Sequence, residues 1–340
     1  MNALNMDQVV LIDSHMRSLQ TDPSLAGIIF TGEGDRAFCA GGDVLHIAQS
    51  AAEKSDWNRK WFSREFLLNY LISTYTKPVI SVWKGVVMGG GVGLSIYGSH
   101  RIATETTVFA MPETSIGFFP DIGASYFLSH YISSPGLGLY LGMTGHRLNG
   151  ADVVKAGLAT HFVASSKLDA FFSDIKISRD IQNTVDAFNS KPTIESSLSE
   201  DFLDGVTKYF DFHTWSEFWA NLEDGVMKRD PFAEKAMKTI RSKCPLTVRV
   251  WFESFKIGSK QNLPEVLERE YHMCVQVTET DSYNFQEGVR ALLIDKGKGS
   301  PAAYKPASLE EVKDEMVSEI IESRVGGDIG TCLKENRQMF

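Results

Sequence analysis

A chain of 340 residues, 43% of them hydrophobic, can bury a full core and is long for one domain, so a core with an appended region is expected. Its formal net charge of −9 argues against nucleic-acid partners, whose binding runs on phosphate neutralisation. No apolar run approaches the roughly 20 residues a membrane-crossing helix needs.

Met1 to Met6 does not read as a signal or transit peptide, and Gln338-Met339-Phe340 is not a Ser-Lys-Leu type address. Asp7 to Gln20 has an imperfect helical stripe of Val10, Leu11, Ser14 and Leu19, broken by Asp22-Pro23. Leu25 to Thr31 reads as a short buried strand, and Gly32-Glu33-Gly34-Asp35 as a turn. Next comes Phe38-Cys39-Ala40-Gly41-Gly42, with Asp43 placed to cap a following helix. Asp56 to Ser73 is helix-like and rich in aromatic and charged side chains, Glu65 among them. A strand, Val79 to Trp83, leads through Gly85 into Met88-Gly89-Gly90-Gly91 and a helix reaching about Tyr97.

Arg101 to Ala110 reads as a strand pair. It sets up Met111 to Asp121, an apolar stretch that carries two carboxylates, Glu113 and Asp121. A helix begins at Asp121, where an acid often serves only as an N-cap. A helix-turn pair follows over Leu141 to Leu158, then a strand at His161-Phe162-Val163. Residues 165–205 are polar and weakly patterned, as in a linker. Helices are expected at Asp230 to Arg241, from Pro245, at Leu263 to Val277 and at Glu310 to Ile321. The resulting division is a core over 1–200, a helical region over 201–325, and a disordered tail over 326–340.

Glycine runs ahead of small apolar segments let backbone amides approach a ligand closely. Amide donors beside carboxylates are the parts that stabilise an oxyanion and move protons. The bland alternative is a glycine turn followed by two ordinary loop acids. The chain has no G-x-G-x-x-G, no P-loop, no G-x-S-x-G and no H-E-x-x-H, which removes those fingerprints. His46, His100, His130, His146, His161, His213 and His272 stand apart in sequence and suit surface or core positions. Cys39, Cys244, Cys274 and Cys332 are scattered without C-x-x-C or zinc spacing, which fits reduced thiols. Cys39, at a tight turn, suits a small buried role better than that of a nucleophile.

Two glycine elements followed by Met111-Pro112-Glu113, with Phe285 to Ala291 and Ile294-Asp295-Lys296 near the end, resemble the crotonase (enoyl-CoA hydratase/isomerase) superfamily. The resemblance runs from Met1 to about Pro306 and is closest to the 3-hydroxyisobutyryl-CoA hydrolases. It implies an α/β spiral of strand-strand-helix turns with a C-terminal helical region. It also implies a first hairpin, which helps cradle the CoA nucleotide in the family; this chain instead begins at the Asn2-Ala3-Leu4-Asn5 that follows it. The substrate implied is an acyl-CoA, with CoA part of the substrate and no further cofactor or metal.

By the same resemblance, the amides of Gly42 and Gly90 form the oxyanion hole. Glu113 attacks the thioester or directs water at it, Asp121 orients the substrate hydroxyl and assists proton transfer, and Glu65 lines the pocket. A solvated ion pair with an arginine is the competing reading for Glu65. Hydratases carry an acid where this chain has Gly93 and usually a glycine where it has Asp121; this pattern matches the hydrolases, so the resemblance implies hydrolysis of 3-hydroxyisobutyryl-CoA, in valine breakdown. Enoyl-CoA hydration or isomerisation stays open, as does a structural role in the mitochondrial small ribosomal subunit. A mitochondrial location and self-association are expectations from the family alone.

Overall fold

The computed structural model describes residues 1–336. Contacts group the chain into two units. One comprises Met1–Gly42, Leu67–Ala110 and Arg147–Leu198; the other comprises Asp43–Phe66, Met111–His146 and the residues from Ser199 onward. The division is therefore not a cut near residue 200, because two early segments pack with the C-terminal helices.

The first unit holds eight short strands: β1 (Ile28–Thr31), β2 (Ala37–Cys39), β3 (Val79–Trp83), β4 (Val86–Met88), β5 (His100–Ala103), β6 (Val108–Ala110), β7 (Leu148–Asn149) and β8 (His161–Phe162). They form two sheets, ordered β1-β3-β5-β8 and β2-β4-β6-β7. From β1 to β6 successive strands enter alternate sheets, which is the spiral the resemblance implies. The first sheet is parallel throughout, with Ile28 opposite Val79 and Ile80 opposite His100. The corner between β3 and β4 falls at Gly85, where φ is +75° and a Cβ would lie 2.4 Å from the Arg36 carbonyl oxygen. Only glycine fits there without strain.

Several sequence readings change here. β1 is half-buried and not a core strand, because it is the edge of its sheet. β5 and β6 belong to different sheets and pair with β3 and β4, not with each other. The helix after the glycine run is one turn, Gly90–Gly93. Ser95 Oγ turns back onto the Gly91 and Val92 carbonyls at 3.0 and 3.1 Å, competing with further helix.

The supposed linker contains two helices, Leu168–Ile177 and Ile181–Phe188. Leu168, Phe171, Ile175, Ile181 and Val185 bury against Ile80, Val82, Ile102 and Val163. Their spacings of three and four residues form apolar stripes that polar composition masked.

The second unit is helical. Helix Pro135–Thr144 lies so close to helix Pro245–Gly258 that a Cβ on Gly142 would sit 2.2 Å from the Trp251 ring. The Trp251 indole donates to the Leu139 carbonyl at 3.0 Å, so this buried polar atom is satisfied. Asp230 caps helix Pro231–Arg241. Helix Leu263–Val275 continues as a π-turn over Gln276–Thr280. Residues 326–336 are not a loose tail. Helix Ile329–Glu335 is capped by Asp328 and buries Ile329, Cys332 and Leu333. The last part of the expected tail, 337–340, lies outside the described residues.

Candidate active site

Parallel pairing of β2 with β4 brings the two glycine elements together, because both follow the C-terminal ends of neighbouring strands. Gly41 has φ +105°, and a Cβ there would meet the Met88 carbonyl at 3.2 Å and the Gly90 nitrogen at 3.6 Å. Gly42 is bridged to Leu4, whose N–H bonds the Gly41 carbonyl at 2.8 Å. Gly89, at φ +49°, precedes the turn of helix that starts at Gly90. Cys39 is buried, with the Gly41 N–H pointing at its sulfur at 3.5 Å, which is the small packed residue expected of it. Asp43 caps helix Val44–Ala52 by accepting from the His46 N–H.

In the second unit the carboxylates collect. Glu113 opens a 3₁₀ turn, Glu113–Ile116, closed by Gly117 at φ +67°. Distant segments pin that turn. Thr114 Oγ1 donates to the Met143 carbonyl at 3.2 Å, the Cys244 N–H to the Thr114 carbonyl at 3.0 Å, and the Tyr304 hydroxyl to the Ser115 carbonyl at 2.9 Å. Lys243 Nζ also donates to Ser115 Oγ at 2.7 Å. Aromatic rings supply apolar surroundings: Phe118 stacks on Phe62 and on Phe119, with centroids 6.0 and 4.8 Å apart.

Glu65, Glu113 and Asp121 are 4, 7 and 7% exposed. Glu65 is thus no solvated ion pair. Glu65 Oε1 and Glu113 Oε2 are buried without a hydrogen-bond partner, an uncommon state that marks strain or function. Asp121 is not the N-cap of the next helix: that helix is Ala124–His130, and Gly123 holds the cap position.

All three acids hold their protons more tightly than an ordinary carboxyl. Burial pushes Glu113 well up, and the Asp121 charge adds to it. Burial pushes Asp121 to about 8, with help from Glu270. Glu65 is raised by burial and then by Asp121, against a hydrogen bond from Trp61. The Asp121 charge therefore acts on both glutamates.

The consequence for stability has a definite sign. The native state binds more protons than the unfolded chain, so the contribution is fully present below about 3.8, the ordinary Asp value, and is lost as pH rises through about 8. Asp121→Asn removes that loss. Its melting temperature should exceed wild type at pH 9, with the gap closing by pH 5; a constant gap would show that Asp121 titrates normally.

Glu270, Arg269, Ser125 and Cys274 were not singled out from the sequence. Glu270 and Cys274 lie one turn apart on helix Leu263–Val275. Glu270 is fully buried beside Asp121, and the Cys274 thiol lies 3.8 Å from Asp121 Oδ2. Leu263 to Val277 read from the sequence only as a helix; the one available signal was the acid Glu270 next to its apolar positions. Two histidines far apart in sequence meet in space. His100 and His161 stack with centroids 5.7 Å apart, because β5 and β8 are neighbours. Among the described residues no group of three or more His, Cys, Asp or Glu could hold a metal ion.

A two-sheet spiral carrying paired glycine turns, and buried acids after Met111-Pro112, define the class. The chain belongs to the enoyl-CoA hydratase/isomerase family, whose sequence pattern matches residues 1–321. It is 38% identical over 331 residues to a probable 3-hydroxyisobutyryl-CoA hydrolase 3 of Arabidopsis thaliana, covering 95% of this chain and 86% of that one. The mitochondrial 3-hydroxyisobutyryl-CoA hydrolase of Xenopus laevis is 37% identical over 339 residues, covering 97 and 85%. Among solved structures, a carnitinyl-CoA dehydratase from Mycobacterium thermoresistibile superposes with a TM-score of 0.84 at 32% identity, covering 94% of this chain and 89% of that one.

Proposed function

We propose that the chain hydrolyses 3-hydroxyisobutyryl-CoA to 3-hydroxyisobutyrate and CoA, a step of valine breakdown. The observation that carries this reading is the buried Glu113–Asp121 pair, with Glu113 Oε2 unpartnered, in a chain so similar to named hydrolases of that thioester. Those relatives favour an enzyme over a ribosomal scaffold. Their mitochondrial names support a mitochondrial location. Self-association, as in other members of the superfamily, is part of the proposal.

Ionised Glu113 attacks the thioester carbon, or directs water at it. By the first route the C–S bond breaks and an acyl-glutamyl anhydride forms; water then cleaves it, restoring the Glu113 carboxylate and returning a proton to Asp121. The departing sulfur takes a proton, which protonated Asp121 supplies; Asp121 also orients the substrate hydroxyl. Glu65 lines the acyl pocket. The amides of Gly42 and Gly90 are assigned to the developing oxyanion, a role worth about 2.7–4 kcal/mol per donor.

Free-thiol release from 3-hydroxyisobutyryl-CoA tests the proposal, with crotonyl-CoA as the control for hydration. Release no faster than from Glu113→Gln, or turnover of crotonyl-CoA in its place, would overturn it. The acids also set a pH profile. Glu113 works ionised, so kcat/KM rises with pH through its raised value. Asp121 works protonated, so the profile should fall again as it ionises at about 8. Asp121→Asn should lower kcat and abolish that falling limb; a falling limb that persists would place the proton donor elsewhere.

A further inference from the structure

The segment that carries Asp121 is built against the preferences of its own residues. Ile122 has φ +56° and Gly123 φ +80°, two left-handed residues in succession. Glycine tolerates this, but a β-branched isoleucine adopts it only when its surroundings impose it. Groups that bind the backbone just after Ile122 come from helix Leu263–Val275. Glu270, with no solvent exposure, accepts from the Gly123 N–H at 2.7 Å through Oε2. Through Oε1 it accepts from the Ser125 N–H at 3.2 Å and from the Ser125 hydroxyl at 2.7 Å.

The clamp is itself anchored. Arg269 Nη2 donates to Ser125 Oγ at 3.0 Å, Nη1 to Ser254 Oγ at 2.8 Å, and Nε to Gln261 at 2.9 Å. Ser125 cannot drift from Glu270 without breaking the arginine's contact as well. Three donors and the adjacent guanidinium offset part of the cost of burying this acid, although burial still holds its proton affinity above the ordinary carboxyl range.

We propose that Glu270 is a positioning residue for Asp121: it binds the amides of Gly123 and Ser125, holds the strained Asp121-Ile122-Gly123 turn, and so aims the Asp121 carboxyl. The inference rests on the hydrolase reading. Glu270 touches no reacting atom and acts through the backbone and through its charge. The groups that face Asp121 are Glu65 and Glu113 from the segments before it, and Glu270 and Cys274 from the helix packed on it; Arg269 faces Glu270. In its ionised form, beside the Arg269 guanidinium, Glu270 is a negative charge that favours the protonated form of Asp121.

The test is Glu270→Gln in the full chain. A glutamine keeps the volume but turns one acceptor into a donor that must oppose an N–H. Loss of aim should lower kcat about 100-fold, with KM little changed. The limb of the pH profile that falls as Asp121 ionises should also move to lower pH, since the charge that favoured its proton is gone. Infrared titration of the protonated carboxyl band, assigned by its loss in Asp121→Asn, reads the same shift without substrate. A folded variant with wild-type kcat and an unmoved band overturns the proposal.

If Glu270→Gln does not fold, Ser125→Ala removes the hydroxyl that joins Glu270 to Arg269. A fall in kcat of about 10-fold supports the proposal, and an unchanged kcat overturns it. Failure of the hydrolase reading appears separately, as wild-type thiol release no better than that of Glu113→Gln. The infrared shift would still decide whether Glu270 governs Asp121.

Discussion

Glu113→Gln should reduce CoA release by about 10⁴-fold, the upper end of what a single positioned acid or base contributes. The substitution keeps shape and removes the one property the reaction needs, a carboxylate that can attack carbon or take a proton from water. Glu113 Oε2 has no hydrogen-bond partner, so the exchange breaks no bond to that atom. The protein should therefore fold and bind acyl-CoA while turning over poorly. Release kinetics by thiol titration, beside binding of the unreacted thioester by calorimetry, check both halves. A rate within tenfold of wild type would move the chemistry away from Glu113.

Gly117→Ala should be the most disruptive single methyl near that residue. A left-handed conformation costs an L-residue about 1–2 kcal/mol. The added Cβ would also lie 2.0 Å from the Asn284 carbonyl oxygen, an overlap that overpacking measurements put at about 1–3 kcal/mol. Asn284 cannot yield easily, because its side chain is bonded in both directions to Lys305, at 2.6 and 2.8 Å. Together these predict a loss of about 2–5 kcal/mol in denaturant unfolding. Activity should fall with it, since the Gly117 N–H closes the turn that begins at Glu113. A variant as stable as wild type would show that the turn relaxes freely.

The hydrolase reading and the spiral were legible from a few short stretches. Gly41-Gly42, Gly89-Gly90 and Met111-Pro112-Glu113 are short motifs that carry the family resemblance, although distant segments pin the turn that opens at Glu113. Other features hid for physical reasons. Helices Leu168–Ile177 and Ile181–Phe188 are short, and their apolar positions are diluted by acids, lysines and serines, so composition outweighed period. Helix Ile329–Glu335 follows two glycines and owes its order to burial of Ile329 and Leu333, which no local propensity announces. For Asp121, called as a site residue, the competing reading was an N-cap, because an acid before a helix often is one.

From residue order alone follow the alternating strands, the glycine turns and the identity of the acids. These depend on torsional freedom, hydrophobic spacing and motif order, all of which act over short range. Only the tertiary structure decided that Glu65, Glu113 and Asp121 are buried and coupled, that Asp121 escapes capping duty, and that Glu270, 149 positions further along, takes that duty over. Burial and charge coupling depend on which segments face one another across space. A carboxyl group's proton affinity is set by that company, and linear spacing carries no record of it.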